Sequence, residues 1–169
     1  MTNSLKILAA AAAMSCFSNF AWADAMMTAQ IQPDLPPAAD SGIIRIKSAY
    51  DVKETVTRLE KDVAAKGIKF FDEIDQQKLA AGAGYQVRPS ILIVFGNPPL
   101  GIQFLTANPY AGLDWPVRML VTQDASGQVW VAWTDFDRIA HRHHITDRDA
   151  QFKMAAEVAA SIASAAQAK

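Results

Sequence analysis

The chain has 169 residues, a formal net charge of -1, 51% hydrophobic residues and 20% charged ones. That balance excludes a disordered chain and fits one folded domain with a real core. The near-neutral charge gives no basic face for nucleic acid, and no cluster of Lys and Arg suits an anionic membrane surface.

In chain order, Lys6 precedes an apolar stretch over 7–17, and Ala21-Trp22-Ala23 stands before Asp24. Positive charge, apolar core and A-x-A in that order describe a secretory signal peptide over 1–23. The stretch falls short of the roughly 20 residues that span a bilayer, so no stable membrane insertion is expected after cleavage. The protein is expected to be exported, to the periplasm or the medium. Cys16 is the single cysteine, and it lies in the segment to be removed. As a lipoprotein, the chain would instead keep Cys16 as its lipid-bearing first residue, but Ala13-Met14-Ser15 lack the leucine usual upstream. A mature chain from Asp24 has no disulfide, thiol nucleophile or cysteine-ligated metal.

Residues 24–42 contain Pro33, Pro36 and Pro37 and read as a flexible or extended leader. A single domain over 43–169 follows. Ile44 and Ile46 alternate as in a strand with one buried face. Asp51 and Glu54 have capping-box spacing, and Val52, Val56, Leu59 and Val63 recur at helical spacing up to Gly67. A second strand runs over 68–74, and Asp75 can cap a short helix. Residues 91–95 form the most apolar run of the mature chain and read as a central strand. Asn97 with Pro98 starts another helix, which ends near Asn108. Residues 110–116 read as a loop. Strands over 117–123 and 128–134 flank the turn Asp124-Ala125-Ser126-Gly127. Val129, Val131 and Trp133 share one face of the second of these, and Trp130 and Ala132 the other. Asp135 can cap a short helix, and an alanine-rich helix buries Phe152, Ala155, Ala159 and Ile162. The tight hairpin leaves no room for a parallel crossover there. The fold class is therefore α+β, with two layers: a mostly antiparallel sheet of four to five strands with helices packed on one face.

Two segments, I-L-I-V-F-G-N-P at 91–98 and G-L-D-W-P-V-R at 112–118, resemble the domain-of-unknown-function 302 family. Asp135-Phe136 and Arg142-His143 resemble its later D-P-like and R-x-H-like elements. Gln76 departs from the I-D-H that the family often has where this chain has Ile74-Asp75-Gln76. The resemblance spans about 44–145. It implies a compact two-layer α+β fold like that of the TATA-binding protein, and it implies no activity.

The chain lacks G-x-S-x-G, a P-loop, G-x-G-x-x-G and a zinc-hydrolase signature. No cofactor is expected. The leading reading is a small exported domain that binds a small apolar or amphipathic ligand, or a protein partner, in the cell envelope, rather than an enzyme. Its expected pocket is lined by Tyr110, Asp114 and Trp115 and bordered by Asn97 and Asp75, where a stiff aromatic loop faces a helix start. Trp130 and Trp133 are candidates for the same aromatic lining. One alternative is metal handling by His141, His143 and His144, whose imidazoles suit zinc, copper or nickel. Another is acid–base chemistry by paired carboxylates among Asp75, Asp114 and Asp135. The oligomeric state is open, a homodimer included.

Overall fold

The structure, a computed structural model, describes residues 33 and 36–167. The expected signal peptide, with Cys16, lies outside the described residues, as does most of the leader. Within them the chain runs β1 (Ile43–Lys47), α1 (Val52–Ala65), β2 (Lys69–Asp75), α2 (Gln76–Gly82), β3 (Ser90–Gly96), α3 (Pro98–Ala107), a 3-10 turn (Pro109–Leu113), β4 (Val117–Gln123), β5 (Val129–Thr134), α4 (Phe136–Arg142) and α5 (Asp149–Ser164).

Short polar side chains start four of the five helices. Asp51, Asp75, Asn97 and Asp135 accept from the amides of Glu54, Lys78, Leu100 and Asp137, at 2.8, 2.8, 3.4 and 3.0 Å. Each satisfies an amide that the helix itself leaves unpaired. Glu54 does not complete the capping box; its carboxylate pairs with Arg58 at 2.8 Å.

The five strands form one antiparallel sheet in the order β1-β5-β4-β3-β2. β3 is an interior strand, but β4 takes the middle place, because the late hairpin inserts β4 and β5 between β3 and β1. Ile93, Met119 and Trp133 stand in register across three strands, as do Ile91, Val121 and Val131. Against this face lie Val56, Leu59 and Val63 of α1, Phe104 of α3, Phe136 and Ile139 of α4, and Phe152, Ala155, Ala159 and Ile162 of α5. α2 contributes no buried residue. The opposite face carries Leu92, Leu120 and Ala132 in register, with Thr122 beside Trp130 in the next row. All five are half-buried.

The end of β3 and the start of α3 approach the loop before β4 closely. A Cβ built on Gly96 would stand 3.1 Å from the Trp115 indole nitrogen, and one on Gly101 only 1.9 Å from the Trp115 ring. Glycine at these positions lets the indole lie flat against the strand end and α3. Gly101→Ala should therefore lower stability by about 1–3 kcal/mol, as overpacking does, although alanine is the better helix former by about 1 kcal/mol. Urea titration measures this, and an unchanged or raised midpoint would mean that the indole has room to shift.

Candidate functional site

At the sheet end beyond β3, local chemistry turns Asp114 inward. Asn108 opens the 3-10 turn by accepting from the Tyr110 amide at 2.9 Å, and its side-chain amide donates to the His143 carbonyl at 2.9 Å. Residues 110–113 of the segment read as a loop from the sequence are thus a wound turn, with Pro109 at its first position. The Asp114 side chain, 3% exposed, receives His143 Nε2 at 2.7 Å on Oδ2. Arg142 Nη1 donates to both carboxylate oxygens at 2.9 Å, and Arg118 Nη2 lies 3.3 Å from Oδ1. Burial pushes the Asp114 carboxyl up, but the His143 hydrogen bond and the Arg142 guanidinium outweigh it and hold it below the usual carboxylate range. With its lone pairs occupied in this way, Asp114 is suited to tying segments together, not to moving protons.

The five residues expected to line one pocket do not meet. Asp75 pairs with Ile91 at the start of β3, whereas Asn97 follows the end of β3. β2 runs antiparallel to β3, so its last residue lies at the opposite sheet end. Tyr110 is 72% exposed and points away from the core. Asn97 and Trp115 do line a common space, but it measures only about 30 Å³, room for little more than one water. The candidate carboxylates do not converge either, since Asp75 and Asp135 cap helices and Asp114 faces its cations. Of the histidines, His143 is buried on Asp114, and the rings of His141 and His144 lie 6.4 Å apart. Among the described residues no three His, Cys, Asp or Glu side chains gather to hold a metal. The tryptophans also separate: Trp133 is in the core, Trp115 at the sheet end and Trp130 on the outer face.

An open concavity of about 500 Å³ lies beside α2, lined by Asp75, Lys78 and Tyr85; one with an aromatic and apolar floor lies on that outer face. It is a groove of about 330 Å³ with Leu120, Trp130 and Ala132 in its floor, Arg45 and Arg88 at its sides, and Pro33, Pro36 and Pro37 along one wall. Trp130 is held rigidly. Its Nε1–H donates to Asp124 Oδ2 at 2.8 Å, the Arg45 guanidinium lies 4.1 Å over its ring and the Lys47 ammonium 5.6 Å from it. The other Asp124 oxygen accepts from the Ser126 amide and hydroxyl and from the Gln128 amide. The hydrogen bonds from Ser126 and Trp130 take the Asp124 carboxyl down to about 2. Sequence reasoning missed this groove. Its signal was the presence of apolar residues on both phases of β3, β4 and β5, where a sheet wetted on one face would alternate with polar ones.

Residues 44–168 match the family described as Domain of unknown function DUF302. The chain is similar to the Fluoride-specific ion channel FluC 1 of Brucella suis biovar 1 (strain 1330), 35% identical over 121 residues, covering 70% of this chain and 48% of that protein. It is equally similar to Fluoride-specific ion channel FluC 2 of Brucella melitensis biotype 1 (strain ATCC 23456 / CCUG 17765 / NCTC 10094 / 16M), with 35% identity over 121 residues, 70% of this chain and 45% of that protein. The chain thus spans about half the length of the curated relatives it matches. Among the described residues no helix is long and apolar enough to cross a membrane. The crystal structure of an uncharacterized conserved DUF302 protein from Bacillus stearothermophilus superposes with a TM-score of 0.68 at 14% identity, covering 74% of this chain and 98% of that one. At that identity the likeness shows a shared fold.

The Asp114 cluster gives a pH-dependent expectation. Its folded pKa lies below the ordinary value, so its contribution is full above a pH of about 4 and is lost as pH falls through the folded value. Asp114→Asn should cost about 1.5–3 kcal/mol at pH 7, the worth of hydrogen bonds to a charged group. The gap between variant and wild type should narrow toward pH 3. Denaturant titrations across that range decide it: equal stability at pH 7, or a gap that does not narrow, would count against this account.

Proposed function

The chain belongs to the DUF302 family, and we propose that it is a non-enzymatic binding module of the cell envelope that takes a small amphipathic ligand in the outer-face groove. The groove itself carries this reading. Its size lies within the range of small-molecule sites, and an apolar floor with few fixed polar groups is their usual composition. Leu120, Trp130 and Ala132 suit an apolar body. Arg45 at the side suits an anionic head, because a guanidinium offers several donors in a plane. The partners of the candidate acids support a non-enzymatic reading: Asp75 and Asp135 cap helices, and Asp114 is paired with cations. The half-length match to fluoride channels supports a module that works beside other proteins. The order of Lys6, the apolar stretch 7–17 and Ala21-Trp22-Ala23 supports export to the envelope.

Two measurements test these statements. Laurate titrated into the protein below its micelle concentration, followed by calorimetry, should bind saturably. Arg45→Glu and Trp130→Ala should each weaken it at least about tenfold, the equivalent of roughly 1.4 kcal/mol. No saturable heat in wild type and in the two variants alike would sink the groove as a ligand site. Separately, intact-mass analysis of protein recovered from its native cells should give a chain starting at Asp24, and a retained Met1 or a lipid on Cys16 would overturn the proposed processing.

A further inference from the structure

The leader and the groove carry a relation that neither shows alone. Pro33-Asp34-Leu35-Pro36-Pro37 contains the spacing P-x-x-P, with which proline-rich segments dock on aromatic-lined grooves. Pro33, Pro36 and Pro37 all line the groove that holds Trp130. The segment is tied at both ends. Arg88 Nη2 donates to the Pro33 carbonyl at 3.1 Å, while Arg88 Nε donates to the Gln123 carbonyl at 3.2 Å. At the other end, Arg138 donates to the Asp40 carbonyl, and the Asp135 amide donates to the Gly42 carbonyl at 2.7 Å. Gly42 has φ +68, and a Cβ there would stand 2.6 Å from Arg138 Cγ. The position therefore needs glycine twice over, for its backbone and for the passage of Arg138.

We propose that Pro33 and residues 36–42 belong to an intramolecular strap that covers part of the outer-face groove as a proline-rich ligand and competes there with the amphipathic ligand. This rests on the reading of that groove as the binding site. Proline segments lose little freedom on docking, and a short tether presents its end at roughly millimolar effective concentration. A segment that binds only weakly as a free peptide therefore still covers the groove from within the same chain. A ligand that prefers the open groove must displace it, so the strap sets a concentration threshold below which the groove stays covered.

The test uses the full chain, the triple variant Pro33→Ala, Pro36→Ala, Pro37→Ala, and Gly42→Ala, which disturbs the second anchor. A fluorescein-labelled peptide of residues 31–42 serves as a probe by anisotropy, beside laurate by calorimetry. Laurate should bind the triple variant and Gly42→Ala about tenfold more tightly than wild type. The peptide should bind the triple variant, lose that binding when Trp130→Ala is added, and bind wild type at least about tenfold more weakly. Equal binding of both probes to wild type and triple variant would overturn the strap. If laurate binds no form while the peptide still separates them, the strap stands and the ligand reading falls. A concentration-dependent dimer in sedimentation that the triple variant loses would overturn the intramolecular assignment and give the leader to the groove of a second copy.

Discussion

The buried Asp114 carboxylate ties together the turn before β4, β4 itself through Arg118, and the end of α4 through Arg142 and His143. Most of the architecture at that sheet end follows from it. With Asp114 fixed, Trp115 must stand over Gly96 and Gly101, which seats α3. α3 in turn stacks Phe104 on Phe152 of α5, with ring centroids 4.3 Å apart. The turn after α5 then reaches the opposite sheet end, where the Ala166 carbonyl receives the Ala49 amide at 2.9 Å and the Ser48 hydroxyl at 3.2 Å. A buried ionic group of this kind adds little net stability over an apolar substitute, but removing one partner is costly. Asp114 acts as a constraint on arrangement more than as a store of energy.

The sheet is covered by α1, α3, α4 and α5 on one face alone, which antiparallel strands allow. In such sheets the second face is commonly polar. Here its middle is Leu92, Leu120, Ala132 and Trp130, an apolar row across three strands. The molecule limits the hazard in two ways. Pro33, Pro36 and Pro37 lie beside the patch, and the β2 edge is blunted by Lys69, Asp72, Glu73 and a bulge near Phe71. Asp124 serves both turn and groove, since the carboxylate that closes the β4–β5 turn also holds the Trp130 indole.

What could be read from the sequence was local. Asp51, Asp75, Asn97 and Asp135 announced helix starts because a cap and its amide partner lie within three residues. The strand over 91–95, the hairpin at Asp124–Gly127 and the buried stripe of α5 were legible for the same reason: periodicity and turn chemistry act over a few positions. The sheet order was less accessible, and β4 displaced β3 from the centre. The site was least so. Asp114 was singled out, but its partners Arg142 and His143 come from a separate helix, and that pairing turns it from a pocket wall into a tie. Asp75 was placed at the wrong sheet end because strand direction is a property of the whole topology. Trp130 was grouped with Trp115 and Trp133 because alternation shows that two residues differ in face but not which face is covered. The contact of Arg88 with Pro33 had no local signature at all.

The sheet order also dictates when parts of the molecule can form. β2, β3, β4 and β5 each pair with a neighbour in sequence, so they can assemble as the chain lengthens. β1 cannot: its register joins Ile43 to Thr134, and the intervening span must be made and gathered before that ladder closes. The anchors of the leader on Arg138 and Asp135 arise later still in the chain. The described residues before β1 are therefore made well before the partners that hold them. Until β5 exists, they remain open to whatever handles a newly made chain.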